Sequence, residues 1–245
     1  MDSGYYAACS GLRAQTQALD VIASNLANIN TGGYRAQQPT FHSVLASARD
    51  VPLGELNHAL NDFSVLGGAR VDLTAGNMEH TGGQFDLGIE GNGFFAVQTS
   101  SGTLYTRNGG FRVSPTGQLT TAQGDAVLGE QGAITLPSGP VSISSDGTIS
   151  VNGAVAGKVR VVEFPLAASL SPVGGSYYAA QNGAGAQPAS QALVRQGMLE
   201  SSNLDGVHAV VNLIAVQRHA EMLQRAMASF YSDFDGIAAG ELPRV

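Results

Sequence analysis

From Leu213 to Ile237 an apolar residue recurs in alternating steps of three and four: Leu213, Val216, Ala220, Leu223, Met227, Phe230, Phe234 and Ile237. That spacing is the mark of a coiled-coil seam. A helix from Asn203 to Ile237 would run about 50 Å at ~1.5 Å per residue, longer than a compact domain of this size requires for its own core. A helix with such a seam calls for a partner. Ser202 or Asn203 is the expected N-cap, with Asp205 in the first turn at the positive end of the helix dipole. Asp235-Gly236 is the expected stop.

The partner is expected at the other terminus. Tyr5, Leu12, Leu19 and Leu26 recur at intervals of seven, with Ala8, Gln15, Ile22 and Ile29 between them. This stripe is thinner, interrupted by Gln15 and Thr16, and such a helix would be marginal alone in water. Two amphipathic end helices could also simply close one globular domain. The long β-rich middle argues against that here.

Glycine supplies 32 of the 245 residues, well above average use, which points to many tight turns rather than long helices in that middle. A formal net charge of −7 and the lack of any basic run disfavour nucleic acid and anionic membrane surfaces as partners. No apolar run approaches the roughly 20 residues of a membrane span, so no membrane insertion is expected. The N-terminus lacks a basic region, an apolar core and a small-residue cleavage site, so export by a cleaved signal peptide is not expected. Cys9 is the single cysteine and reads as a small helix residue.

The first helix should end in the run Ser24 to Arg35. Asn30-Thr31-Gly32-Gly33 offers residues able to take positive φ, which terminates a helix and turns the chain. Asn25 and Asn28 stand one helical turn apart, their amides able to bond the backbone of a neighbouring segment. Residues 36–75, with Pro39, Pro52, Gly54 and Gly67-Gly68, read as an extended linker with short elements. From 76 to 196 short apolar runs alternate with turn signals at Ser101-Gly102, Asn108-Gly109, Pro115-Thr116-Gly117, Gly124, Asp146-Gly147 and Asn152-Gly153. These predict an antiparallel meander or small barrel, with Lys158–Phe164 as its longest strand and a loop from Tyr177 to Gln187. The fold class is therefore α+β. Residues 1–35 and 197–245 form an antiparallel helical coiled coil around an extended linker and a central antiparallel β-rich domain.

Chemistry is hard to place in this chain. His42, His58, His80, His208 and His219 are scattered and match no HExxH or Cys/His spacing. The run Gly88-Ile89-Glu90-Gly91-Asn92-Gly93 opens a strand and lacks the P-loop lysine, so a turn is the better reading. There is no GxSxG elbow. No catalytic, cofactor-binding or metal-ligating residue is nominated, and no small-molecule substrate. A β-sheet glycosidase with scattered carboxylates is the nearest enzyme reading, and a monomeric β-rich adhesin or binding module the nearest non-enzymatic one.

Three sets of motifs resemble the bacterial flagellar axial proteins, the family of rod and hook subunits. At the N-terminus they are Ser10-Gly11-Leu12-Arg13-Ala14-Gln15, Leu19 to Asn28 and Asn30-Thr31-Gly32-Gly33-Tyr34-Arg35. In the middle they are Thr81-Gly82, Leu87 to Val97, Tyr105-Thr106-Arg107-Asn108-Gly109 and Gly117-Gln118-Leu119. Near the C-terminus they are Leu199-Glu200-Ser201-Ser202-Asn203-Leu204-Asp205 and Gln217-Arg218. One departure is Ala220, where the family usually carries an aromatic residue.

The modest length and the Tyr105–Gly109 run are most similar to proximal-rod members, with distal-rod and hook-type subunits as alternatives. The resemblance implies a structural subunit of the rod crossing the periplasm. It also implies type III export without a cleaved signal. The implied partners are other copies of the chain, proximal and distal rod proteins and the export apparatus. Expected helix-seam residues are Leu12, Leu19, Ile22, Leu26, Leu213, Val216, Leu223, Met227, Phe230 and Phe234. The signature residues Asn25, Asn28, Thr31, Gly33 and Tyr34 are expected to set the register between helices and linker.

Overall fold

The computed structural model describes residues 3–44, 63–164, 170–180 and 185–241. The fold is α+β, with one helix near each terminus and a large antiparallel β region between them. The chain divides into two compact units, one of residues 1–26, 37–69 and 206–245, the other of residues 27–36 and 70–205.

The first unit holds helix α1 (Ser3–Ala27), paired strands β1 (Gln37–Val44) and β2 (Phe63–Val71), and helix α2 (Gly206–Glu241). Strands therefore occupy both ends of the expected linker, whose residues 45–62 lie outside the described residues. Between Val207 and Ser229, Ala209, Leu213, Val216, Ala220, Leu223 and Met227 are shielded from solvent and every other side chain is exposed. Steps of four and three keep these six on one face. On α1 the most deeply buried residues are Ala14, Ala18, Ile22 and Asn25. A Cβ placed on Gly11, on the same face, would lie 3.5 Å from Leu223 Cδ1. Leu12, Leu19 and Leu26 flank this face half-buried. The face runs through Gly11, Ala18 and Asn25, one residue before each of those leucines and so about 100° round the helix, because small side chains admit the closest approach.

Neither expected end of α2 holds. The helix begins after Asp205 and continues through Asp235-Gly236 to Glu241. Asn203 does not cap it, because its side chain is engaged elsewhere.

In the second unit the strands follow in order: β3 (Met78–His80), β4 (Leu87–Glu90), β5 (Phe94–Thr99), β6 (Gly102–Thr106), β7 (Arg112–Val113), β8 (Leu119–Thr120), β9 (Ala126–Gly129), β10 (Gly132–Ala133), β11 (Val141–Ile143), β12 (Thr148–Val151), β13 (Ala154–Lys158), β14 (Val161–Glu163), β15 (Leu170–Gly174), β16 (Tyr177–Ala180), β17 (Gln187–Pro188), β18 (Leu193–Gln196) and β19 (Met198–Glu200). The main sheet runs β15-β16-β6-β5-β9-β8-β7, with β14, β17 and β10 attached beside it. Every pairing given by register in this unit is antiparallel. Strand β5 is central. Its run Phe94-Phe95-Ala96-Val97 is fully buried, and consecutive side chains point to opposite faces, so the two phenylalanines enter different cores. Phe95 meets Phe111 edge-on at 5.1 Å, and Phe94 meets Tyr178 at 5.6 Å.

The Asn152-Gly153 hairpin forms where expected. Both residues take positive φ, 54° and 82°, between the paired Val151 and Ala154, the conformation a type I′ turn demands. Two other readings are corrected. Lys158 ends β13 and Val161 opens β14, so the apolar run through Phe164 is divided between two sheets, with Val159 bridging to Gly129 between them. Tyr177–Ala180 is a strand rather than a loop. It pairs with β6 on one side and β15 on the other, a long-range partnership that outweighs the small polar residues around it.

Candidate functional site

The charged residues of this chain are few, yet three of them are buried together. Arg35, Arg107 and Glu200 are each at most 3% exposed. Arg35 Nη2 lies 2.7 Å from Glu200 Oε1, off the hydrogen-bond axis, and Arg107 Nη1 donates to Glu200 Oε2 at 3.0 Å. Two guanidinium groups thus share one carboxylate. Backbone carbonyls take up the surplus positive charge: Arg107 donates to Ile89 and Gly91, and Arg35 to Thr74. The Arg107 guanidinium also sits 5.6 Å from the centre of the Phe94 ring. Burial lowers the Arg107 pKa to about 10, with Glu200 opposing the shift, so it remains charged at neutral pH.

The remaining oxygens of Glu200 are used as well. Its Oε1 accepts from Gly76 N–H at 2.8 Å, and its main-chain carbonyl accepts from Gly33 N–H at 2.7 Å. Arg35 N–H donates to the Tyr178 hydroxyl, whose pKa is raised chiefly by burial. Gly33 takes φ of +65°, and a Cβ placed on it would fall 2.3 Å from the Arg107 carbonyl carbon and 2.4 Å from Asn108 N, so only glycine leaves room for the peptide between them. Asn203 closes the arrangement. Its Oδ1 accepts from Ala36 N–H at 2.7 Å, while its Nδ2 donates to Asp72 and Thr74 carbonyls. Asn203→Ala leaves the Ala36 N–H without its acceptor, and we expect it to destabilise this unit by about 1–3 kcal/mol in urea unfolding.

The signature residues fall into two groups. Asn25, buried at the end of α1, grips both backbone groups of Gln37, donating to its carbonyl at 2.7 Å and accepting from its N–H at 2.9 Å. Asn28, Thr31, Gly33 and Tyr34 belong to the turn that carries Arg35 inward: Thr31 Oγ1 donates to Asn28 Oδ1, and Tyr34 N–H to the Thr31 carbonyl. Of the seam residues, Ile22 is buried and Leu12, Leu19, Leu26, Leu213, Val216, Leu223 and Met227 are half-buried. The side chains of Phe230 and Phe234 lie outside the described residues.

Comparison with known proteins gives these motifs a common origin. Three family models match: "Flagella basal body rod protein" over residues 6–35, "Flagellar hook protein FlgE/F/G D1 domain" over 88–151, and "Flagellar basal body rod FlgEFG protein C-terminal" over 195–230. The chain is 33% identical over 230 residues to the flagellar basal-body rod protein FlgF of Caulobacter vibrioides, covering 93% of each. It is 34% identical over 244 residues to FlgF of Escherichia coli, covering 94% of each, and 31% identical to FlgG of Agrobacterium fabrum, covering 91% of this chain and 93% of the relative. The chain belongs to the flagellar basal-body rod protein family. Within it the chain is FlgF-like.

Each matched segment of this rod protein contributes one member of the buried cluster: Arg35 from the first, Arg107 from the second, Glu200 from the third. All three charges stand inside the family motifs, but nothing local joins them. Arg107 and Glu200 are 93 positions apart, and no periodicity links them. The available signal was scarcity. In a chain with 13% charged residues, an arginine or glutamate inside an otherwise small and polar motif has a structural reason to be charged. Among the described residues no group of three or more His, Cys, Asp or Glu side chains could hold a metal.

Proposed function

We propose that this chain is a structural subunit of the proximal part of the basal-body rod, assembling through its two terminal helices into a tubular shaft. The observation that carries the reading is the burial pattern of α2. One face, stepping by four and three from Ala209 to Met227, is shielded, on a helix far longer than its unit needs for a core. An antiparallel pairing with α1 is supported by the approach of Gly11 to Leu223. It is supported again by the Asn203–Ala36 bond, which ties the chain leaving α1 to the chain entering α2. Neighbouring subunits would stack such helical hairpins around an axis, a head-to-tail contact that does not close and so makes a tube.

The role is structural rather than catalytic. Its partners are other copies of the chain, other proximal-rod proteins, the distal-rod protein and the type III export apparatus, and its place is the rod where it crosses the periplasm. Among the described residues no helix is long and apolar enough to cross a membrane. The test is Leu223→Asp. Basal bodies isolated from cells making this variant should carry at least tenfold less of it, while the purified variant keeps the near-ultraviolet circular dichroism of its buried tyrosines. Rods with normal content of the variant would sink the seam assignment.

A further inference from the structure

The strands that complete the β-rich unit come from the end of its chain segment. In the main-chain ladders, β4 pairs with β18 through four residue pairs and β3 with β19 through three, and among the described residues neither β3 nor β4 has a second strand in its ladder, although Leu87 N–H also donates to the Gly109 carbonyl. Val194 of β18 packs in the larger core with Leu87 and Ile89 of β4. Gln196 reaches across to accept from Ile143 N–H and donate to the Gln84 and Val141 carbonyls. Gly197 accepts from Thr81 and Gly82 N–H groups. Three residues after Gly197 the chain supplies Glu200, the one carboxylate paired with the two buried guanidinium groups among the described residues, and then Asn203, whose bond to Ala36 spans 167 positions.

We propose that residues 193–203 are the closing strap of the β-rich unit, and that this unit stays unfolded until the strap has been synthesised. Before that point β3 and β4 have no ladder partner among the described strands, and Arg35 and Arg107 cannot both be buried without their counter-ion, which marginal stability does not tolerate. Local hairpins such as β5–β6 form quickly but are not independently stable. The slow step is the long-range closure between the two ends. A chain held open in this way remains threadable through a narrow export channel for most of its synthesis. That use rests on the rod reading above, whereas the closure itself rests only on the geometry.

The experiment uses chains arrested on ribosomes through an unstructured C-terminal linker that fills the exit tunnel, with residue 192, 205 or 241 as the last native residue before it, probed by pulse proteolysis. We expect rapid cleavage throughout the β region at 192 and at least tenfold slower cleavage at 205, with little further change at 241. Equal resistance at 192 overturns the proposal, because the core then closes without the strap. Resistance appearing only at 241 overturns it too, because α2 would be the closing element. Leu223→Asp in the 241 chain should be as resistant as the native 205 chain, and a return to rapid cleavage would overturn the proposal because α2 would then be needed for closure. A chain that makes the switch yet never enters rods would refute the rod reading alone.

Discussion

Glu200→Ala should unfold the β-rich unit more readily than any other single truncation of a polar side chain in it, by about 3–5 kcal/mol in urea denaturation. The reason is asymmetric. Glu200 is the only acidic partner of Arg35 and Arg107 among the described ion pairs, and removing it leaves two guanidinium groups buried with no counter-charge. It also leaves Gly76 N–H without its acceptor. Arg107→Met is the informative comparison, because it removes the excess positive charge and leaves Arg35 and Glu200 as a matched pair. Its cost is then the Ile89 and Gly91 carbonyls left without donors and the lost contact with Phe94, about 1–3 kcal/mol. If Arg107→Met proves the more damaging of the two, the cluster is held by packing and carbonyl bonds, and the charge account fails.

Gly33→Ala should come next in severity, by about 2–5 kcal/mol, for two separable reasons. A Cβ in the left-handed region costs about 1–2 kcal/mol by itself. Here it would also stand 2.3 Å from the Arg107 carbonyl carbon and 2.4 Å from Asn108 N, main-chain atoms with nowhere to go. Overpacking against a well-filled interior adds about 1–3 kcal/mol. Gly153→Ala is the control, since Gly153 has φ of +82° and nothing within 4 Å of its Cβ position. It should lose only the conformational part. Equal losses at the two glycines in thermal or urea unfolding would show that the approach of the N-terminal turn to the Arg107 strand end is not tight.

These two residues also show how legibility divided. Gly33 was readable as a positive-φ position from Asn30-Thr31-Gly32-Gly33, because a turn is decided by the torsional freedom of adjacent residues. What the turn presses against was not readable, because Arg107 enters from a strand more than seventy positions away. Ser202 or Asn203 is the cap that local sequence points to, because a small polar residue just before an apolar repeat is the usual mark of one. The amide instead serves three backbone groups of distant segments, and Asp205 precedes the helix. Tyr177–Ala180 looks like loop from its neighbours for the same kind of reason. Its strand character comes from sitting between β6 and β15, not from its own composition.

The sequence by itself determined the two amphipathic end segments, the glycine-marked hairpins between them and the family motifs that recur at both ends and in the middle. All of these are expressed in spacings of a few residues, where helix periodicity, strand alternation and turn torsions act directly. Only the tertiary structure decided that the three motifs meet in one buried cluster, that Gly11, Ala14 and Ala18 rather than the leucines form the innermost face of α1, and that the strands at 193–200 close the sheet begun at 78–90. Those outcomes depend on which distant groups can share burial and satisfy one another's charge. That is a property of the closed chain, and no local period encodes it.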